Sequence, residues 1–199
     1  ANFLACKLTK PVSFPKMDFN RGIPDDMRTF VVVPTLVSDH NLEDVFANLE
    51  GQYLRNRDKN LLFAVIGALS DAKTPACSNE ERIALEALDR IKDLNRKYAD
   101  GEDIFFYFHR KLVYNAGCDK WFGWERKRGA LIEFNDLLLG SENTSFAFSS
   151  CPNPAKLNIR YVITLDADTL VPFGMAKKMV ETMAHPLNRP VVNPTRGVV

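Results

Sequence analysis

The amino-acid sequence predicts an α/β fold, a mostly parallel sheet with helices on both faces. Two observations carry the prediction. Four short runs, at 30–33, 61–66, 104–108 and 159–165, are rich in Val, Ile, Leu and Phe and are apolar almost throughout, as strands buried on both sides are. The stretches that follow them place apolar residues at helical spacing, so strand and helix alternate along the chain. With 199 residues, 46% of them apolar, there is enough material for one sizeable core.

The elements follow in order. Residues 1–28 hold Pro11, Pro15 and Pro24 and show neither period, so they are expected to form an extended arm, with the domain proper at 29–199. Phe30, Val31, Val32 and Val33 make the first strand, ended by Pro34. Leu42, Val45, Phe46, Leu49 and Tyr53 mark a helix with Asn41 as its N-cap. After the second strand, Ser78 and Glu81 form a capping box. It opens a long helix carrying Ala84, Ala87, Leu88, Ile91, Leu94 and Tyr98. The aromatic third strand leads to a helix with Ala130, Leu131, Phe134, Leu137 and Leu138, stopped by Gly140. Residues 141–158 are polar and irregular and read as a surface loop. The fourth strand precedes a helix over 173–184 that ends before Pro186. In open sheets of this kind ligands bind at the carboxyl ends of the strands, so chemistry is sought just after each run.

Bulk properties exclude some classes. Lys and Arg number 26 and Asp and Glu 25, without the basic excess of a nucleic-acid binder. Cys6, Cys77, Cys118 and Cys151 lack metal-ligand spacing and read as reduced thiols of a cytosolic environment, small apolar residues in or near the core. No signal peptide is expected from the residues present, and the longest apolar run, 61–69, falls far short of the roughly 20 residues that span a bilayer. The stretch is therefore expected to be soluble. It stops after an apolar run with no closing helix, as a piece cut from a larger membrane protein would.

The sharpest chemical feature is Asp166-Ala167-Asp168, two carboxylates spaced i, i+2 directly after the fourth strand. That spacing lets both reach one hard cation. Mg2+ and Mn2+ favour such oxygen ligands together with substrate phosphates, and a cation there would neutralise a diphosphate as a leaving group. The same pattern also serves as an acidic turn capping the next helix. Arg126, Lys127 and Arg128 open a predicted helix just after Trp121, Phe122 and Trp124. A helix N-terminus favours anions, and the cations add charge-assisted bonds to phosphate; a solvated basic face is the plainer alternative. Asp71 follows the second strand and could accept hydrogen bonds from a base or ribose. His109 and Arg110 follow the third strand and are expected to line the same cleft. His40 and His185 have no acid or cysteine partner nearby in sequence. There is no Ser-His-Asp order, no nucleophilic-cysteine context and no Gly-x-Gly-x-x-Gly, so a nicotinamide or P-loop reading lacks support.

At these residues the chain resembles the glycosyltransferase region of the cyclic β-1,2-glucan synthases. The resemblance is carried by Phe30-Val31-Val32-Val33-Pro34-Thr35-Leu36, Tyr53-Leu54-Arg55-Asn56-Arg57-Asp58, Phe106-Tyr107-Phe108-His109-Arg110, Gly123-Trp124-Glu125-Arg126-Lys127-Arg128-Gly129, Ile163-Thr164-Leu165-Asp166-Ala167-Asp168-Thr169 and Ala184-His185-Pro186-Leu187-Asn188. It implies the Rossmann-like, A-type glycosyltransferase fold shared with synthases of cellulose and chitin, here as an incomplete piece. It implies an inverting glucosyltransferase that uses UDP-glucose, with Mg2+ or Mn2+, to extend a glucan acceptor. The setting it implies is the cytoplasmic face of a bacterial inner membrane, within a larger membrane-embedded synthase. Asp166 and Asp168 map onto the metal and catalytic acids. Asp71, Lys127 and Arg128, with Pro34, Thr35, His109 and Arg110, map onto the substrate-binding residues. The family's catalytic base and acceptor-binding segment lie further along than Val199. Inversion needs such a base, so these residues alone are expected to bind donor without transferring glucose at a normal rate. Two other readings compete. One is a haloacid-dehalogenase-like phosphatase, which also places Asp-x-Asp after a strand. Three strands precede the motif here, and Leu170 stands where that family favours Thr or Val. The other is a non-catalytic binding or scaffold module.

Overall fold

The computed structural model describes residues 13–74 and 77–191. Among them, five strands form one sheet in the order β6-β3-β2-β1-β7. These are β1 (Thr29–Leu36), β2 (Leu61–Ala68), β3 (Phe105–Arg110), β6 (Phe146–Ser149) and β7 (Tyr161–Thr164). β1, β2, β3 and β7 run parallel, and β6 closes one edge antiparallel to β3. A two-stranded hairpin, β4 (Val113–Asn115) and β5 (Lys120–Phe122), stands apart. The helices are α1 (Leu42–Arg55), α2 (Cys77–Tyr98), α3 (Arg126–Leu138) and α4 (Met175–Ala184). The α/β fold with a mostly parallel, Rossmann-like sheet is as the sequence predicts.

The period of two along each strand divides the core. Val31, Val33, Phe63, Val65, Phe105 and Tyr107 face α1, α2 and α4. Their sequence neighbours Phe30, Val32, Leu62, Ala64, Phe106 and Phe108 face α3, whose Ala130 and Phe134 pack into them. Both faces are covered, which is why these strands read as unbroken apolar runs. Phe134 is wholly buried and meets Phe30, Phe108 and Phe146 edge-on. No helix among the described residues is long and apolar enough to cross a membrane.

Several boundaries differ from the sequence-based expectation, each for a physical reason. β1 continues through Pro34 to Leu36. The Val32 carbonyl accepts from Leu165 on the β7 side, while Val37 N–H donates to Ala68 on the β2 side. Pro34, two residues after Val32, therefore turns its missing N–H toward β7, whose pairing has ended at Thr164. Asn41 does precede α1, but its side chain reaches backward: Oδ1 accepts from Ser38 N–H and Nδ2 donates to the Leu36 carbonyl. α2 already contains Ser78, so Ser78 is not its N-cap; the side chains of Cys77 and Ser78 lie outside the described residues, as do Cys6 and residues 192–199. The expected loop at 141–158 holds β6 and a 3-10 turn at Pro154–Leu157. α3 ends as expected at Gly140, whose φ of +93° lets Ser141 N–H reach the Asp136 carbonyl and Gly140 N–H the Leu137 carbonyl.

The described part of the N-terminal arm lies on the domain. Ile23 and Phe19 are buried, Phe19 N–H donates to Glu181 of α4, and Ile23 N–H donates to Asp58 just before β2.

Candidate functional site

The carboxyl ends of β1 and β2 and the start of α3 enclose a cavity of about 400 Å3, at the edge of the sheet where such folds bind ligands. Pro34 and Thr35 line it from β1, Asp71 from the end of β2, Arg110 from β3, and Arg126 and Lys127 from α3. Six of the residues picked out from sequence thus meet at one place: Pro34, Thr35, Asp71, Arg110, Lys127 and, across Lys127, Asp166.

Two ion pairs tie this rim together. The Arg126 guanidinium donates to Asp71 Oδ2 at 2.8 Å, and Lys127 Nζ donates to Asp166 Oδ1. Asp166 is mostly exposed and Lys127 half-exposed. Pairs in such settings contribute about 0.2–1 kcal/mol each, so an incoming ligand can exchange them at little cost. Arg128 is a correction. It bonds Glu125 at 3.0 Å on the outer surface of the helix and does not line the cavity. Arg126, which sequence reading passed over as a site residue, takes that place. The phase of the helix decides this, and it depends on where α3 begins.

The turn carrying Asp166 and Asp168 is held from α1. Asn48 Nδ2 donates to the Ala167 carbonyl at 2.6 Å, Gln52 Nε2 to the Thr169 carbonyl, and Gln52 Oε1 accepts from Val171 N–H at 3.1 Å. Asn56 then accepts from Ala176 N–H in the first turn of α4 at 3.0 Å. Gln52 and Asn56 are buried. Three amides at four-residue spacing, 48, 52 and 56, are a signal present in the sequence and missed there. Asp168 is exposed. Among the described residues, no set of three or more His, Cys, Asp and Glu could enclose a metal ion. Neither Asp166 nor Asp168 lines the cavity; both are exposed on the turn beside it, and carboxylates so placed have the chemistry of a cation site that completes its shell with phosphate and water, as Mg2+ does.

His109 and Arg110 do not follow β3; they are its last two residues and are fully buried. β2 runs on to Ala68 and supplies their pairing partners. His109 points to the α2 side, with Nδ1 2.7 Å from Tyr107 Oη and Nε2 3.5 Å from Glu80 Oε1. Burial pulls its pKa down to about 4 and pushes that of Glu80 up, so the ring is neutral. His109 belongs to the core and does not line the cavity. Arg110 points the other way. Its guanidinium donates to the carbonyls of Trp124 and Arg126, each at 3.0 Å, and to Glu133 and Ser145, each at 3.1 Å. Those bonds occupy the fork, so it reaches the cavity only as a wall.

The chain enters α3 through two consecutive residues in the left-handed region, Glu125 with φ +51° and Arg126 with φ +44°. Gly129 packs against this turn so closely that a Cβ would lie 2.0 Å from the Trp124 carbonyl oxygen. The remaining thiols in view are free: Cys118 is exposed, against the expectation of a core position, and Cys151 is half-buried.

No protein-family model matches the chain. Among curated proteins, the cyclic beta-(1,2)-glucan synthase NdvB of Rhizobium meliloti (strain 1021) is 40% identical over 194 residues, which cover 96% of this chain and 7% of that protein. The chain thus spans a small part of the length of this relative.

Proposed function

The chain is related to the cyclic β-1,2-glucan synthases over one segment, and from this premise we propose that its cavity is the donor side of an inverting glucosyltransferase site that binds UDP-glucose. The observation that carries the reading is the rim of the cavity. Asp71 and Asp166, at the ends of two parallel strands, face Arg126 and Lys127 at the start of α3. A diphosphate between them would take the two cations and gain the helix N-terminus. Asp71, Pro34 and Thr35 would meet the nucleoside end. Asp166 and Asp168 would hold Mg2+ or Mn2+, which when bound supplies charge neutralisation of the leaving diphosphate. Without that cation, an anion entering the rim would strip Asp166 of its lysine and leave a carboxylate beside phosphate, so donor binding is expected to depend on a divalent metal.

The relation to a glucan synthase favours transfer over the phosphatase alternative. On the same reading a glucan chain is the acceptor and a larger membrane-embedded synthase the setting. On this reading Asp166 and Asp168 serve the cation and Asp71 the nucleoside, so none of the three is assigned as the base that deprotonates an acceptor. The 199 residues are therefore expected to bind donor and to make no glucan.

Calorimetric titration of UDP and UDP-glucose, with and without Mn2+, tests this on the native chain and on Asp168→Asn. Metal-dependent binding that weakens tenfold or more in the variant, about 1.4 kcal/mol, is expected. Binding that ignores both metal and substitution would remove the donor reading.

A further inference from the structure

We propose that Arg110 is a positioning residue: its buried guanidinium holds the left-handed turn at Glu125 and Arg126 and so keeps Arg126 and Lys127 aimed into the cavity. The identity of the anion they meet rests on the donor reading; the holding of the turn does not.

The argument starts from the strand. On the α3 face of β3 the sequence places Phe106, Phe108 and then Arg110, a guanidinium where the pattern calls for a third apolar side chain. Burying a charge is costly unless it is paired and its donors are satisfied. Glu133 provides the pairing and Ser145 a further acceptor. The two remaining contacts go to main-chain carbonyls, Trp124 on one side of the turn and Arg126 within it. A planar fork with five N–H donors reaches all four acceptors at once; an ammonium on a flexible stem cannot.

What those two carbonyls belong to gives the arrangement its purpose. Two successive non-glycine residues with positive φ are uncommon and persist only where the surroundings enforce them. Here the enforcement comes from below, through Arg110, and from the side, through Gly129. Gly123 leaves the space the guanidinium occupies, since a Cβ there would sit 3.2 Å from Arg110 Nη1. The turn sets the first residue of α3, and with it which of the three adjacent cations face the cavity. Relaxed to ordinary backbone, it would rotate the pairs with Asp71 and Asp166 out of reach.

The test is Arg110→Lys in the whole chain, read by amide hydrogen exchange and by titration of UDP with Mn2+. Exchange at residues 123–129 is expected to quicken tenfold or more while 61–66 stay protected, and UDP affinity is expected to fall at least tenfold. Adding Glu125→Gly to Arg110→Lys, which makes positive φ free of steric cost, is expected to restore a large part of that affinity. Unchanged exchange at 123–129 would overturn the proposal. So would a loss of UDP affinity no greater than in Phe134→Leu, a core variant on the same sheet face, at equal loss of melting temperature. Should Arg110→Lys fail to fold, Glu133→Gln loosens the same guanidinium, and several-fold quicker exchange at 123–129 is required of it. If the native chain takes no UDP, the donor reading falls by itself and exchange alone decides the role of Arg110.

Discussion

Replacing Gly129 by alanine separates two physical effects of opposite sign. Gly129 lies in the first turn of α3. On helix propensity alone, Gly→Ala in a helix should stabilise by about 1 kcal/mol. Against this, the new methyl would stand 2.0 Å from the Trp124 carbonyl oxygen and 2.8 Å from its ring. Ordinary contact begins near 3.4 Å, so one side must retreat by more than about 1 Å. The carbonyl is backbone, and the Arg110 guanidinium holds it at 3.0 Å, so it has little freedom to give way. Overpacking of this kind costs about 1–3 kcal/mol and more when backbone must move. The clash therefore outweighs the propensity gain, and a net loss of about 2 kcal/mol is expected. For a chain of this size that is roughly a 4–8 °C fall in melting temperature, measurable by circular dichroism. The UDP titration should weaken as well, because the displaced segment carries Arg126 and Lys127. A melting temperature equal to or above that of the native chain would show that the turn is soft, and the account of a fixed cationic rim would fail.

Two further outcomes are expected. Lys127→Met removes an exposed ion pair, so stability should change by no more than about 1 kcal/mol, yet metal-dependent UDP affinity should drop ten- to about a hundredfold because a charge-assisted hydrogen bond to phosphate is lost; unaltered affinity in the calorimeter would take Lys127 out of the site. The folded protein should also lose stability on acidification. His109 has a folded pKa near 4 against 6.5 for the ordinary side chain, so the unfolded chain takes up its proton first. The stabilisation is complete above pH 6.5 and is lost as the pH falls toward 4, by up to about 3 kcal/mol. The raised Glu80 carboxyl opposes this, since the folded state keeps that proton to higher pH. In denaturant titrations at pH 7 and pH 4.5, His109→Gln should flatten the slope; identical slopes in the two proteins would contradict the burial of a neutral ring.

The sheet was legible because its signal is local. Val31 and Val33 serve one core while Phe30 and Val32 serve the other, and a run apolar at every position needs no partner to be recognised. Pro34 was misread as a terminator because its effect depends on which edge of β1 remains paired, a fact of topology that spacing does not carry. β6 escaped notice for a similar reason. Phe146 and Phe148 alternate with small residues over four positions only, too briefly to stand out among polar neighbours. The amides of α1 were hidden by chemistry: Asn48, Gln52 and Asn56 look like a solvated helix face, and only the turn at 166–171 and the start of α4 folding over them give them partners and bury Gln52 and Asn56. Asp71, Lys127 and Asp166 could be gathered from sequence because strand ends point one way in a parallel sheet. Arg126 could not be told from Arg128, because neighbouring residues in a helix differ by a rotation that the unforeseen start of α3 fixes.

The site divides its work between a rigid part and a replaceable part, and the division follows burial. The frame is made of groups with nowhere else to go. Arg110 has four acceptors within 3.1 Å, and Gln52 and Asn56 are closed off from water; breaking any of these leaves a buried polar group unsatisfied, at about 1–3 kcal/mol apiece. The rim is made of pairs that water can replace, Arg126 with Asp71 and Lys127 with Asp166, at about 0.2–1 kcal/mol each. The positions of the charged groups are thus fixed by strong interactions while their pairings are held by weak ones. Ligand binding can exchange the pairings without moving the positions, which is what a site must do if it is to take up a charged molecule, hold it in one orientation and let its product go.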